Sequence, residues 1–94
     1  MKEEQIMGLL RMLKIDLGIM GGAYDCRLTQ YIENAAAKIT EEGATLDLAS
    51  LADSQLVVEY AAWTWRRRDT GEGMPRMLRW QLNNRIFSEK MKDG

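Results

Sequence analysis

The chain has 94 residues, 46% of them apolar and 29% charged, with 13 Lys+Arg against 14 Asp+Glu and no histidine. A chain of that length forms one small domain, hides roughly 60–65% of its unfolded surface when it folds alone, and so builds a thin core. With one cysteine, Cys26, and no imidazole, an internal disulfide, the usual zinc sites and Ser-His or Cys-His catalysis are excluded. The net charge of −1 conceals a split, because residues 1–62 carry five bases against ten acids and residues 63–94 carry eight bases against four acids.

Residue choice is helical throughout, with Leu, Ala and Met numbering 27 against 13 for Val, Ile and Thr, and a single proline. The expected fold is all-α, a compact bundle of about four helices. The first spans about residues 3–16, where Ile6, Leu9, Leu10, Leu13 and Leu17 recur at steps of three and four behind Glu3 and Glu4. The opening Met1-Lys2-Glu3-Glu4 puts acids where a signal peptide carries bases, so the chain is expected to stay in the compartment that makes it. Gly18 and Gly21-Gly22 end this helix, inside the longest charge-free stretch, Leu17 to Tyr24; its eight residues fall far short of a membrane span. Such a span takes about 20 apolar residues.

A second helix over about residues 23–42 places Tyr24, Leu28, Tyr31, Ile32, Ala35 and Ile39 on one face and stops at Gly43. Leu46 and Leu48 of the connection are expected to tuck onto the core. Ser50-Leu51-Ala52-Asp53 has capping-box spacing and opens a third helix over about residues 51–68. From Leu56 to Trp65 its only charge is Glu59, which predicts a central helix buried almost all round, with Leu56, Val57, Tyr60, Ala61 and Trp63 in the core. After the flexible turn Thr70-Gly71-Glu72-Gly73, Pro75 begins a last helix over about residues 75–90, followed by a frayed tail, Met91 to Gly94.

That last helix has two apolar faces. Leu78, Leu82 and Ile86 fall within an arc of about 80° and are expected to dock on the third helix. Met77, Trp80, Phe87 and Met91 cluster on nearly the opposite side, which is either a subunit interface or a surface enclosed by the first and third helices. Arg66, Arg67, Arg68, Arg76, Arg79 and Arg85 surround the turn before it. They suit phosphate contacts, or else the triplet Arg66-Arg67-Arg68 offsets the negative end of the third helix while its stems cover apolar surface. Thr29 and Ser88 have no general base, and Cys26 is a packing or inert surface thiol, so no active site, metal or cofactor is expected.

Two segments together, Leu56-Val57-Val58-Glu59-Tyr60-Ala61-Ala62-Trp63 and Met74-Pro75-Arg76-Met77-Leu78-Arg79-Trp80-Gln81-Leu82-Asn83-Asn84-Arg85, resemble the head-tail connector, or adaptor, proteins of tailed bacteriophages. The order of parts matches over nearly the full length, including the stretch Leu13 to Ile19. One departure is Gly21-Gly22, where the family would place polar or acidic capping residues. The resemblance implies a non-enzymatic virion protein that assembles as a homo-oligomeric ring on the portal protein and extends the DNA channel toward the tail during head completion. Its partners would be its own copies, the portal, a downstream stopper or tail protein, and DNA passing with weak, sequence-independent contact. Its place would be the virion neck, after assembly in the bacterial cytoplasm. It makes Met77, Trp80, Phe87 and Met91 candidates for contact with a neighbouring subunit or the portal, and Arg66, Arg67, Arg68, Arg76 and Arg79 candidates for the channel or a charged seam. The other reading of the residues is a small helical DNA-binding or regulatory module.

Overall fold

The computed structural model describes residues 2–93, which form four helices and no strand: α1 (Glu3–Leu17), α2 (Asp25–Glu41), α3 (Leu51–Thr70) and α4 (Arg76–Asp93). This is the all-α four-helix architecture that the composition implies. The order and number of helices are as expected; the ends differ.

In α1, Leu9 and Leu13 are buried while Ile6, Leu10 and Leu17 flank them half-buried, so the apolar stripe faces the core as its spacing requires. Gly18 closes the helix in the left-handed conformation at φ 70°, and the Ile19 N–H donates to the Lys14 carbonyl at 2.9 Å. The second helix begins at Asp25 rather than Ala23, because Tyr24 stands outside helical geometry as an N-cap and offers no side-chain cap. Asp25 instead binds the Lys14 ammonium at 2.8 Å, tying the start of α2 to the end of α1. Leu28, Ile32, Ala35 and Ile39 form its buried face.

α3 is the central element and packs against all three other helices. Leu56, Val57, Tyr60 and Ala61 lie in the core as expected. Two expectations about this helix are corrected. Ser50 makes no side-chain cap, and the Asp53 carboxylate turns away to accept the Asp47 N–H at 2.8 Å, so there is no capping box. Trp63 is only half-buried, whereas Trp65, at 8% exposure, is the core tryptophan. Residues two apart on a helix point about 200° apart, so α3 cannot bury both indoles against one set of neighbours. Trp65 meets Tyr24 and Tyr31 edge-on, with ring centroids 5.7 and 5.4 Å away. Nor is the helix enclosed all round, since Gln55 and Glu59 are exposed.

Gly71 ends α3 at φ 67°. Pro75 precedes α4, its carbonyl accepting the Arg79 N–H at 3.0 Å. The last helix continues to Asp93, so Met91 stands on helix and not in a frayed tail, while Gly94 lies outside the described residues. Leu78 and Leu82 are buried. Ile86, expected in the core, is half-buried at its margin, where a Cβ built on Gly43 would lie 3.7 Å from Ile86 Cγ2. The result is a flattened molecule, 45 × 31 × 18 Å, with α4 laid on α3 and on the connection after α2.

Candidate interaction surfaces

One face of α4 docks and the other does not. Opposite Leu78 and Leu82, Trp80 is 60% and Phe87 63% exposed, and Met77 and Met91 are equally open, forming one ridge along the helix. Among the described residues no other helix covers that ridge. Arg76 and Lys90 flank it, with Asn83 and Asn84. Glu89 of α4 faces inward and is engaged there.

The inner face of α4 is held by charge as well as by leucine. Arg85 Nε donates to Asp53 Oδ1 at 2.8 Å, its Nη1 to Glu89 Oε1 at 3.2 Å, and its Nη2 to the Thr45 carbonyl. The Thr45 N–H returns a bond to Glu89 Oε1 at 2.7 Å. Burial pushes the Asp53 carboxyl up, but Arg85 and the Asp47 amide more than offset it and hold its pKa below the usual carboxylate range. Glu89 is likewise lowered, first by the Thr45 amide and then by Arg85. Sequence reading did not find this clasp. Its signal was the spacing: Leu78, Leu82, Arg85 and Glu89 recur at steps of four, three and four, so both charged residues share the docking face.

The arginine triplet is engaged within its own chain. Arg66 Nη2 lies 3.5 Å from Asp16 Oδ2; the Arg67 guanidinium stands 5.0 Å from the Trp63 ring centre. Arg68 lies 3.7 Å over Trp65 and donates to the Trp65 carbonyl at 2.6 Å. Capping the carbonyl end of α3 and covering its indoles are the roles these contacts serve. Arg79 reaches Glu42 at 3.2 Å, joining α4 to the end of α2, while Arg76 is exposed. Five candidate cations therefore do not converge on one surface. Trp63 takes a further part, its Nε1–H donating to the Gly73 carbonyl at 3.1 Å and so pinning the turn before α4.

Two further surfaces were not read from sequence. An apolar hollow of about 500 Å³ runs along α1, where Met7 and Ile15 stand beside the exposed Met20, with Arg11 and Lys14 at its edge. On the other side of α1, three adjoining hollows of about 240, 340 and 270 Å³ follow α3, and Glu59 borders all three. Their walls are Met12, Ile15 and Asp16 of α1 and Trp80 and Gln81 of α4. Glu59 has no cation within ion-pair distance among the described residues, and although its side chain is exposed, the trough walls strip part of the water from its carboxyl, which with the Asp16 charge raises its pKa above the usual range. Among the described residues no group of three or more His, Cys, Asp or Glu is placed to hold a metal, and no helix is long and apolar enough to cross a membrane.

Compared with protein-family models, with curated proteins and with solved structures, the chain matched none.

Proposed function

We propose that this chain is a structural subunit without enzymatic activity, a head-tail connector of a tailed bacteriophage that assembles as a ring on the portal and continues the DNA channel toward the tail. The observation that supports this reading is the one-sided docking of α4, which leaves Met77, Trp80, Phe87 and Met91 as a continuous apolar ridge on a small domain. Monomers seldom leave a patch of that kind uncovered, and aromatic residues and methionine are enriched at interface centres. The sequence likeness of Leu56–Trp63 and Met74–Arg85 to connector proteins supplies the identity of the partner. Ring closure needs no chemistry, only a left and a right surface that fit each other and a rotation that returns to the start.

The test is retention of the purified chain by a purified portal ring. Retention that falls sharply in the Trp80→Ala, Phe87→Ala double variant, whose copies can no longer join side by side into a ring on the portal, with helicity unchanged, is the expected result. An undiminished complex with that variant, or no binding of the unaltered chain, would overturn the reading.

A further inference from the structure

The trough along α3 is lined by four acids, Asp16, Asp53, Glu59 and Glu72, against two arginines, Arg66 and Arg85, which are paired with Asp16 and Asp53, whereas the ridge on α4 is flanked by cations. In the trough, Glu59 and Asp16 lie among Met12, Ile15 and Val58, with Ile15 77% exposed. Arg66 reaches Asp16, but no cation reaches Glu59 among the described residues. On the ridge, Trp80, Phe87 and Met91 carry Arg76 at one end and Lys90 at the other. The apolar hollow along α1 is edged by Arg11 and Lys14 and would repel that ridge.

We infer that the trough between α1 and α4 receives the α4 ridge of a second copy of this chain, with Phe87 and Met91 entering between Ile15 and Trp80 and a cation of the incoming helix, Lys90 or Arg76, reaching Glu59. The contact joins two surfaces of the chain that adjoin along Met77 and Trp80, so every copy both gives a ridge and accepts one, and the arrangement propagates head to tail and closes as a ring or continues as a filament. A helix seated in an apolar groove through residues spaced three and four apart is a common mode of recognition. Partial desolvation and the Asp16 charge raise the Glu59 pKa in the isolated chain, and a cation of the incoming helix would offset both. This inference rests on the proposed ring, and it names the surface that each copy offers its neighbour.

Charge exchange tests it by sedimentation. Glu59→Lys alone, and Arg76→Glu with Lys90→Glu alone, should each weaken self-association at least tenfold, while circular dichroism stays unchanged. Mixing the two variants should restore association, because each reversed ridge then meets a reversed trough. A chain carrying all three substitutions should associate with itself. Strict monomers of the unaltered chain up to about 1 mM, a scale on which even weak specific contacts register, would overturn the inference. So would loss of association in the Trp80→Ala, Phe87→Ala variant together with indifference to Glu59→Lys; the α4 ridge would then meet another surface, and the portal reading would stand. Binding of the unaltered chain to anionic vesicles or duplex DNA through Arg76 and Lys90, without self-association, would overturn it as well.

Discussion

At the scale of single residues, the two tryptophans of α3 separate packing from anchoring. Trp65→Ala removes an indole held between two tyrosine edges and an arginine, and should cost about 3–5 kcal/mol in urea unfolding. Trp63→Ala loses a half-exposed ring and one hydrogen bond to the α3–α4 turn, and should cost about 1–2 kcal/mol. A larger loss at Trp63 than at Trp65 would contradict this placement. Both residues are aromatic positions in one apolar stretch, and sequence favoured the wrong one. Burial depends on which side of α3 the other helices occupy, and nothing local to the stretch specifies that.

Glu59 and Asp53 are acids with opposite responses to pH. Asp53 has a lowered folded pKa, so the stability it contributes is complete above the unfolded carboxylate value and is lost as pH falls through the folded one. Glu59 has a raised pKa, so its ionisation opposes folding at neutral pH, and the opposition is lifted as pH falls through the raised value. Glu59→Gln should therefore raise the urea midpoint at pH 7 and leave it unchanged near pH 3. Asp53→Asn should lower the midpoint at pH 7 and reduce the acid sensitivity of the fold. A fall at pH 7 for Glu59→Gln would contradict the account of Glu59.

At the scale of elements, α4 is the helix whose attachment is half polar. Leu78 and Leu82 give it a short buried stripe, and the Arg85 clasp fixes its position along α3 and against residues 45–47. Arg85→Ala leaves the Asp53 carboxylate buried with one amide for company, and should cost about 3 kcal/mol. Arg85→Lys keeps the charge without the fork of donors and should recover only part of it. Hydrogen exchange of α4 amides should rise more than that of α2 amides in either variant, because α2 is packed on two helices and α4 chiefly on one. Equal acceleration in both helices would mean that α4 does not open separately. Gly71→Ala meets no obstructing atom, yet φ 67° alone should cost about 1–2 kcal/mol.

Helix number, order and approximate extent were legible in sequence because each signal is local: the three-and-four spacing of α1, glycines at its end and after α3, and proline ahead of α4. The clasp was not legible as a clasp. Local spacing offers Arg85 a place among the cations around a turn and Asp53 a place in a helix cap, so each has a plausible nearby role. Their pairing joins residues 32 apart in the chain, which only the docking of α4 across α3 brings together.

For the whole molecule, the charge split between the two parts of the chain has a partial internal use. Arg66 meets Asp16, Arg79 meets Glu42 and Arg85 meets Asp53, so three cations of the basic third neutralise acids of the remainder inside one copy. Glu59 of the acidic part, and Arg76 and Lys90 of the basic part, remain without an ion pair among the described residues and lie on the surfaces assigned to the seam. Association through that seam should therefore weaken as salt rises, since exposed charges are screened. Trp80→Ala with Phe87→Ala should weaken it by about 2 kcal/mol or more at any ionic strength, with the urea midpoint of the monomer little changed. Salt-independent association, or a collapse of the monomer fold in that variant, would contradict the division between ridge and core.

Sequence by itself determined the helices, the central place of α3 and the existence of a second apolar face on α4. Those properties follow from periodicity along one chain segment, and a segment carries its own period wherever it is placed. Tertiary structure alone decided which tryptophan is enclosed, that Asp53 and Arg85 hold α4 down, that Arg66 pairs with Asp16 while Arg67 and Arg68 lie over the indoles of α3, and that Glu59 stands in a trough between α1 and α4. Each of these depends on the side from which a distant helix approaches, and that is set by the packing of all four helices together.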